Sequence, residues 1–429
     1  MPTRSSRPAA PAARRRTRVP PALTRGPEAM PALGIVEEVA GELGMLLWRC
    51  ARDVVLWAST PPARRPGLFT GTAAERQTRQ LEALSIDPEL AAPLAVMARV
   101  LESPSAIPER LVVNACRRLA LWAEQQGHLA TALEFMQAGA LVAPESAALA
   151  YAVGRLARRR AEYDRAESWY VRGIVQARRA EDHRVYARAY AGLGTLYFQR
   201  GNLPAARRAF LRCLKAAARH GHADLQGTAY HDLFITELET GAGPECEVLA
   251  EKALTAFGSN SGAVARLAFD LAYHWILLGR FADALRVAKA LSPHFDGAGE
   301  QALVLSMIAR SAGGAGDRAT FGWAAARLDT LLHSGAGADS APRALLGLAY
   351  GAASLADWPA ALRFARATTE AARERSEGKI LIMAEAALES IQRHAALDER
   401  AAPATGVSSL AERFVDALAA PAGTSVMAG

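Results

Sequence analysis

Seven times between Gly127 and Trp358 the chain repeats one pattern: an apolar stretch of helical period, a short break containing Gly or Asp, then an Ala with a second apolar residue four positions on. The fullest copy reads Leu193-Gly194-x-x-Tyr197, Gly201-Asn202-Leu203, Ala206-x-x-x-Phe210. Aligned on their breaks, the copies fall at Gly127, Ala161, Gly201, Gly241, Gly279, Gly316 and Ala356, spaced 34, 40, 40, 38, 37 and 40 residues apart. Such a period specifies helix hairpins, each too small to bury its own apolar flank, so they must stack on one another. The expected fold is all-α, a right-handed superhelix of about seven hairpins. Abundant Ala and few aromatic residues suit close helix packing and argue against a sandwich or barrel.

The flanking sequence divides the chain further. Residues 1–32 are Pro, Ala, Arg and Ser with little to bury, and are expected to be disordered; Met30 is an alternative start. From Leu33 to Ala58, Ile35, Val36, Val39, Leu43, Leu46, Leu47, Cys50, Val54 and Trp57 recur at three- and four-residue steps, which predicts one long amphipathic helix. Pro61, Pro62 and Pro66 end it, and two shorter helices are expected over Ala73–Leu84 and Pro88–Leu101, so that 33–105 forms an N-terminal helical cap. Residues 106–375 hold the repeats and 376–420 the C-terminal capping helices, Lys379–Ala396 and Leu410–Leu418. The last stacked face needs such a cover. Residues 421–429 form a short disordered tail.

At the level of residues, the repeats resemble those of the tetratricopeptide repeat family, whose pattern is W-x2-L-G-x2-Y, then A-x3-F, then P. The first unit has Ala132, Met136 and Pro144, and the second has Val153-Gly154, Tyr163, Ala166 and Tyr170. The third is the copy quoted above. The fourth has Tyr230, Leu233 and Ala250 with Cys246 in the Ala slot; the fifth has Leu271, Trp275, Phe281 and Ala284; the seventh has Leu348, Trp358 and Ala361. The sixth, around Ile308–Ala325, is degenerate, with Phe321 where a small residue belongs. Most periods exceed 34, as in the subclass with lengthened helices. Small residues at the Gly154/Gly194 and Ala166/Ala206 slots let helices approach, and the bulk of Tyr170/Phe210 fills the space toward the next hairpin.

The resemblance also implies a ligand surface. In the family, the second, fifth, sixth, ninth and twelfth positions of each repeat meet the ligand in a concave groove. Here those positions select Asn114, Arg117, Arg118, Tyr151, Arg155, Arg158, Arg188, Phe198, His231, Arg266, Phe269 and Tyr273. Mostly Arg and aromatic, the set suits an extended segment bearing carboxylates, with Arg giving bidentate hydrogen bonds and the rings apolar contact. The Lys/Asn carboxylate clamp found in part of the family is not reproduced, Asn114 and the neighbouring Arg residues only approximating it. The expected function is a non-enzymatic scaffold that binds a peptide or helix of a partner protein, with no cofactor and no metal. The alternative is a signalling or transcriptional regulator whose repeats sense a peptide or small ligand, although a single helix over Val36–Ala58 leaves no helix-turn-helix.

Other signals narrow the class. Of the formal charge of +7, residues 1–30 supply +6 through seven Arg against Glu28, so the body is close to neutral and only the tail offers weak nucleic-acid attraction. Cys50, Cys116, Cys213 and Cys246 are isolated, pointing to a reducing cytoplasm rather than disulfides or zinc. No stretch is long and apolar enough for a membrane span, and the Arg, Ala and Gly excess resembles a GC-rich bacterial genome. Gly378-Lys379 lacks the rest of a P-loop, and Gly258-Ser-Asn-Ser-Gly262 has Asn where a nucleophile belongs. Gly313-Gly314-Ala-Gly316-Asp317 is expected to be a hairpin turn, and His220 and His222 to mark a helix end rather than join His231 in a metal site.

Overall fold

The computed structural model describes residues 34–84, 87–241, 243, 245–395, 397 and 406–420; the expected tails at 1–32 and 421–429 lie outside them. Among the described residues the chain is helical and contains no strand. It forms two units, one ending at His220 and one beginning at Gly221.

The first unit holds α1 (Gly34–Glu38), α2 (Gly41–Ser59), α3 (Gly71–Ala83), α4 (Pro88–Glu102), α5 (Glu109–Gln125), α6 (Leu129–Val142), α7 (Ala147–Arg159), α8 (Tyr163–Arg179), α9 (His183–Gln199) and α10 (Leu203–Arg219). The second holds α11 (Ala223–Thr240), α12 (Glu245–Phe257), α13 (Ser261–Leu277), α14 (Phe281–Leu291), α15 (Ala298–Ala315), α16 (Arg318–His333), α17 (Ala341–Ser354), α18 (Trp358–Glu374), α19 (Gly378–Gln392) and α20 (Ser409–Ala419). The seven predicted breaks fall inside seven hairpins, α5–α6 through α17–α18.

One turn geometry explains the breaks. Gly127, Ala161, Gly201, Gly279, Gly316 and Ala356 all have φ between 57° and 80°. At each, the N–H of that residue bonds the carbonyl three back, as in Gly201→Phe198 (2.9 Å), and the next N–H reaches five back, as in Asn202→Tyr197 (2.9 Å). This is the Schellman closure, which satisfies the last carbonyls of the first helix. In three of the six the residue after the left-handed one then caps the second helix: Asn202 accepts from Ala205 N–H, Asp317 from Thr320 N–H, and Asp357 from Ala360 N–H. Glu181 and Gly221, between hairpins, adopt the same conformation, so from Ala161 to Gly241 a positive-φ residue recurs every 20 positions.

The size pattern holds where the repeat is regular. A Cβ on Gly154 would lie 2.8 Å from the Tyr170 ring, and one on Gly192, in the next hairpin, 2.5 Å from it. Tyr170 is thus gripped between two glycines on successive first helices. Gly194 faces Phe210 in the same way, at 2.3 Å. In the sixth hairpin the sizes are exchanged: Phe321 occupies the small slot and abuts Gly351 of α17, where a Cβ would lie 2.9 Å from the ring. Here α17 packs closely along α15, with Gly313 against the Gly351 backbone and Gly347 against Ser306. Gly313 and Gly314 are accordingly the last turn of a helix rather than a loop, and Gly316 alone makes the turn.

The N-terminal region corrects one expectation. Residues 33–58 are not one helix: the chain breaks at Val39–Ala40, Gly41 has φ of 74°, and the Val39 carbonyl sits where a Gly44 side chain would be. The break lets Glu38 reach α6, whose N-cap residue His128 makes no side-chain cap. The Glu38 carboxylate accepts from the N–H of Ala130 (2.7 Å) and of Thr131 (2.8 Å), an anion on a helix N-terminus. Trp57 anchors α2, fully buried, with Nε1 donating to the Pro104 carbonyl at 2.6 Å.

At the other end, α19 packs on α18, while α20 packs against α13 and α14 rather than extending the terminal stack. Its N-terminus is held by Asp283, which is almost wholly buried and accepts from Ser408 N–H at 2.6 Å.

Candidate functional site

The first helices of the hairpins in unit 1, α5, α7 and α9, carry the residues selected from the repeat positions. Asn114, Arg117, Arg118 and Arg188 are exposed, and Tyr151, Arg155, Arg158 and Phe198 are half-buried. Arg188 stacks its guanidinium over the Tyr151 ring at 5.0 Å, joining α9 to α7. Arg118 makes a long contact of 3.5 Å with the Glu89 carbonyl.

Two of these arginines are engaged. Arg155 forms a bidentate pair with Glu124 of α5, both contacts at 2.6 Å, and Arg159 adds a further bond to the same carboxylate. The hydrogen bond from Arg155 holds the Glu124 carboxyl below its usual range, and the same bond raises Arg155. Arg155 is therefore a strut between α5 and α7 rather than an open donor, because Glu124 lies directly across the hairpin interface. Burial raises the Tyr170 phenol against the pull of the neighbouring Arg158 guanidinium, whose Nε is buried without a partner. Leu121, 49% exposed, sits on the same helix as Arg117 and Arg118 and was not selected from the sequence.

In unit 2 the corresponding residues lie on α11 and α13. His231 of α11 pairs with Asp270 of α13 at 2.8 Å. On α13, Arg266 and Tyr273 are exposed and Phe269 packs edge-on against Phe295. The Asp270 carboxylate makes this face less cationic than that of unit 1.

A cleft that the repeat positions did not select opens between the start of α9 and the end of α10, with a volume of about 530 Å³. Tyr190 forms its buried floor, accepting at its hydroxyl from Arg212 Nη1 at 3.3 Å and meeting Tyr186 edge-on at 5.0 Å. Burial, and then the neighbouring Tyr186, raises the Tyr190 phenol. His183 and His220 stack at 3.6 Å across the rim, and Arg178, Lys215 and Arg219 complete the wall. The signal was present as two helical ladders, His183/Tyr186/Tyr190 and Arg212/Lys215/Arg219, each spaced three and four residues. Only the antiparallel register of α9 and α10 brings them together.

The remaining motifs are structural. Asn260, at the centre of the Gly258–Gly262 run, caps α13, and Gly378 opens α19. His220 ends α10 and His222 is the N-cap residue of α11. The four cysteines are buried and unpaired with one another; burial pushes the Cys116 thiol up to about 12 and Cys246 up to about 11. Among the described residues no helix is long and apolar enough to cross a membrane.

Comparison with known proteins agrees with this architecture. The tetratricopeptide repeat family profile matches residues 145–219, which span α7 to α10. The described residues thus form an all-α array of helical hairpins, of which α7 to α10 carry the tetratricopeptide repeat pattern. Among solved structures it is similar to a Rap protein complexed with competence and sporulation factor, at 12% identity and a TM-score of 0.43, covering 82% of this chain and 98% of that one. A second is the Rap conjugation gene regulator of plasmid pLS20 in complex with the Phr* peptide, at 13% identity and a TM-score of 0.42, covering 82% and 96%. A third is the P58(IPK) tetratricopeptide repeat domain, at 13% identity and a TM-score of 0.24, covering 75% and 98%. No curated protein sequence matches the chain.

Proposed function

We propose that the protein is a non-enzymatic interaction scaffold that takes an extended, carboxylate-bearing segment of a partner protein on the α5–α7–α9 face. The observation that carries this reading is the row of Arg117, Arg118 and Arg188, which have no carboxylate partner among the described residues and stand beside Tyr151 and Leu121. Arginines left open next to apolar surface favour a ligand that brings its own carboxylates and side chains. The Glu124–Arg155 strut fixes the spacing of the two helices and so pre-organises the face. On α13, Arg266, Phe269 and Tyr273 offer a second, less cationic surface. Four buried cysteines, none joined to another in a disulfide, fit a reducing, cytoplasmic setting.

Selection from a displayed library of random peptides tests this. The wild-type chain should enrich Asp and Glu alternating with apolar residues. A variant with Arg117→Glu, Arg118→Glu and Arg188→Glu, of unchanged helicity and Tm, should bind the selected peptides roughly tenfold or more weakly, about 1.4 kcal/mol. Equal affinity in the variant, or no acidic enrichment, rejects the assignment.

A further inference from the structure

We propose that the cleft between α9 and α10 is a binding site for a phosphate-bearing ligand of mononucleotide size, separate from the α5–α7–α9 face. Four cations, Arg178, Arg212, Lys215 and Arg219, converge on a cavity of about 530 Å³, a volume within the range of small-ligand sites. Three of them, Arg178, Lys215 and Arg219, have no carboxylate partner among the described residues. The fourth is spent on the Tyr190 hydroxyl, a neutral acceptor.

A basic last turn by itself only complements the helix dipole, and Arg219 is placed for that. That effect fades within one turn, so it does not account for Lys215 and Arg212, one and two turns further in on the same side. Nor does it account for Arg178, which comes from the end of α8 with its guanidinium 5.8 Å from the Tyr186 ring centre. Like charges gathered this closely repel one another unless an anion sits among them. Phosphate, with up to two charges and several acceptor oxygens, matches that need better than a single carboxylate.

The rest of the cleft fits a planar group beside the phosphate. Tyr186 offers a half-buried ring, and the two imidazoles stack nearly parallel, 12° apart. That stacked pair closes the rim beside the ring. The whole arrangement lies at the end of the hairpin opposite the Gly201 turn and uses neither Arg117, Arg118 nor Arg188.

Calorimetric titration of the full chain at constant ionic strength tests the assignment with four probes: ADP, inorganic pyrophosphate, adenosine and a short oligo-aspartate. ADP is expected to bind, pyrophosphate to compete with it, and adenosine to give no measurable heat. In the Lys215→Glu/Arg219→Glu variant, whose changes are on exposed side chains, ADP affinity should fall roughly tenfold or more with circular dichroism unchanged. Affinity retained in that variant overturns the proposal, as does the absence of heat with both ADP and pyrophosphate at millimolar concentration. Binding of oligo-aspartate alone overturns it too and makes the cleft a carboxylate site. The Arg117→Glu/Arg118→Glu/Arg188→Glu variant should bind ADP as wild type does, so failure here and failure of the peptide face are read separately.

Discussion

The hairpins α7–α10 and the hairpins α15–α18 meet the same packing requirement with the bulky and small partners exchanged. In the first pair a ring on the second helix enters a glycine notch on the first, Tyr170 into Gly154 and Phe210 into Gly194. In the second pair the ring is Phe321, one turn earlier on the second helix, and its notch is Gly351 on the following hairpin. The α15 and α17 helices then close on each other through bare backbone at Gly313 and Gly351. What is preserved is complementarity of volume, not the position of any residue type, and that is why the sixth copy reads as degenerate.

The comparison can be broken most forcefully at Phe321. Phe321→Ala should lower the unfolding free energy by about 3–5 kcal/mol, as loss of a core ring does, whereas Ala206→Phe, which writes the same residue into the regular hairpin, should also destabilise because no glycine notch receives it. Denaturant unfolding of the two variants would show it; a neutral Phe321→Ala would mean that the ring is not the filler proposed. Next come the notches themselves. Gly194→Ala and Gly313→Ala should each cost about 1–3 kcal/mol. Phe210→Leu should restore part of the first loss, since a flexible-ended side chain is the obstacle there. No side-chain truncation should relieve the second, where the added carbon would lie 2.2 Å from the Gly351 carbonyl oxygen.

A smaller effect distinguishes the long-range pins. Glu38→Gln removes the anion that caps α6 and should cost about 1–2 kcal/mol, with hydrogen exchange rising in the first turn of α6. Asp283→Asn should loosen the start of α20 instead. The smallest effect is with pH. His274 is buried on α13 beside Phe234, and desolvation depresses its pKa below the usual value. Unfolded chain then takes up a proton that the native state refuses, so the contribution is present above about pH 6.5 and is lost as pH falls through the native pKa. Monitored by Tm between pH 8 and 5, His274→Phe should flatten the loss of stability in this window; an unchanged slope would assign it to other groups.

Much of the fold was legible because turn chemistry is local. Gly127, Gly201 and Gly316 announce a left-handed residue, and Asn202 and Asp317 an N-cap after it, as the structure has them. Glu181 was not legible as the equivalent turn between hairpins, because a glutamate in that conformation carries no such mark. The break at Val39–Ala40 was hidden by an apolar period that runs straight through it. For the candidate surfaces, helical spacing identified which residues face outward but not what faces them. Arg155 and Glu124 are 31 positions apart, and the α9–α10 cleft depends on the register of two antiparallel helices.

The turns recurring every 20 residues set the unit by which such a chain can grow. Duplicating a stretch of 40, such as 162–201, would add one helix of each direction and hand the next hairpin the same notch it met before. Duplicating only 20 would reverse the direction of everything downstream and set second helices against second helices. Length variation among descendants of this sequence should therefore be quantised in whole hairpins, with odd insertions confined to connections, such as that from Ser334 to Ser340, where the step of 20 is already lost.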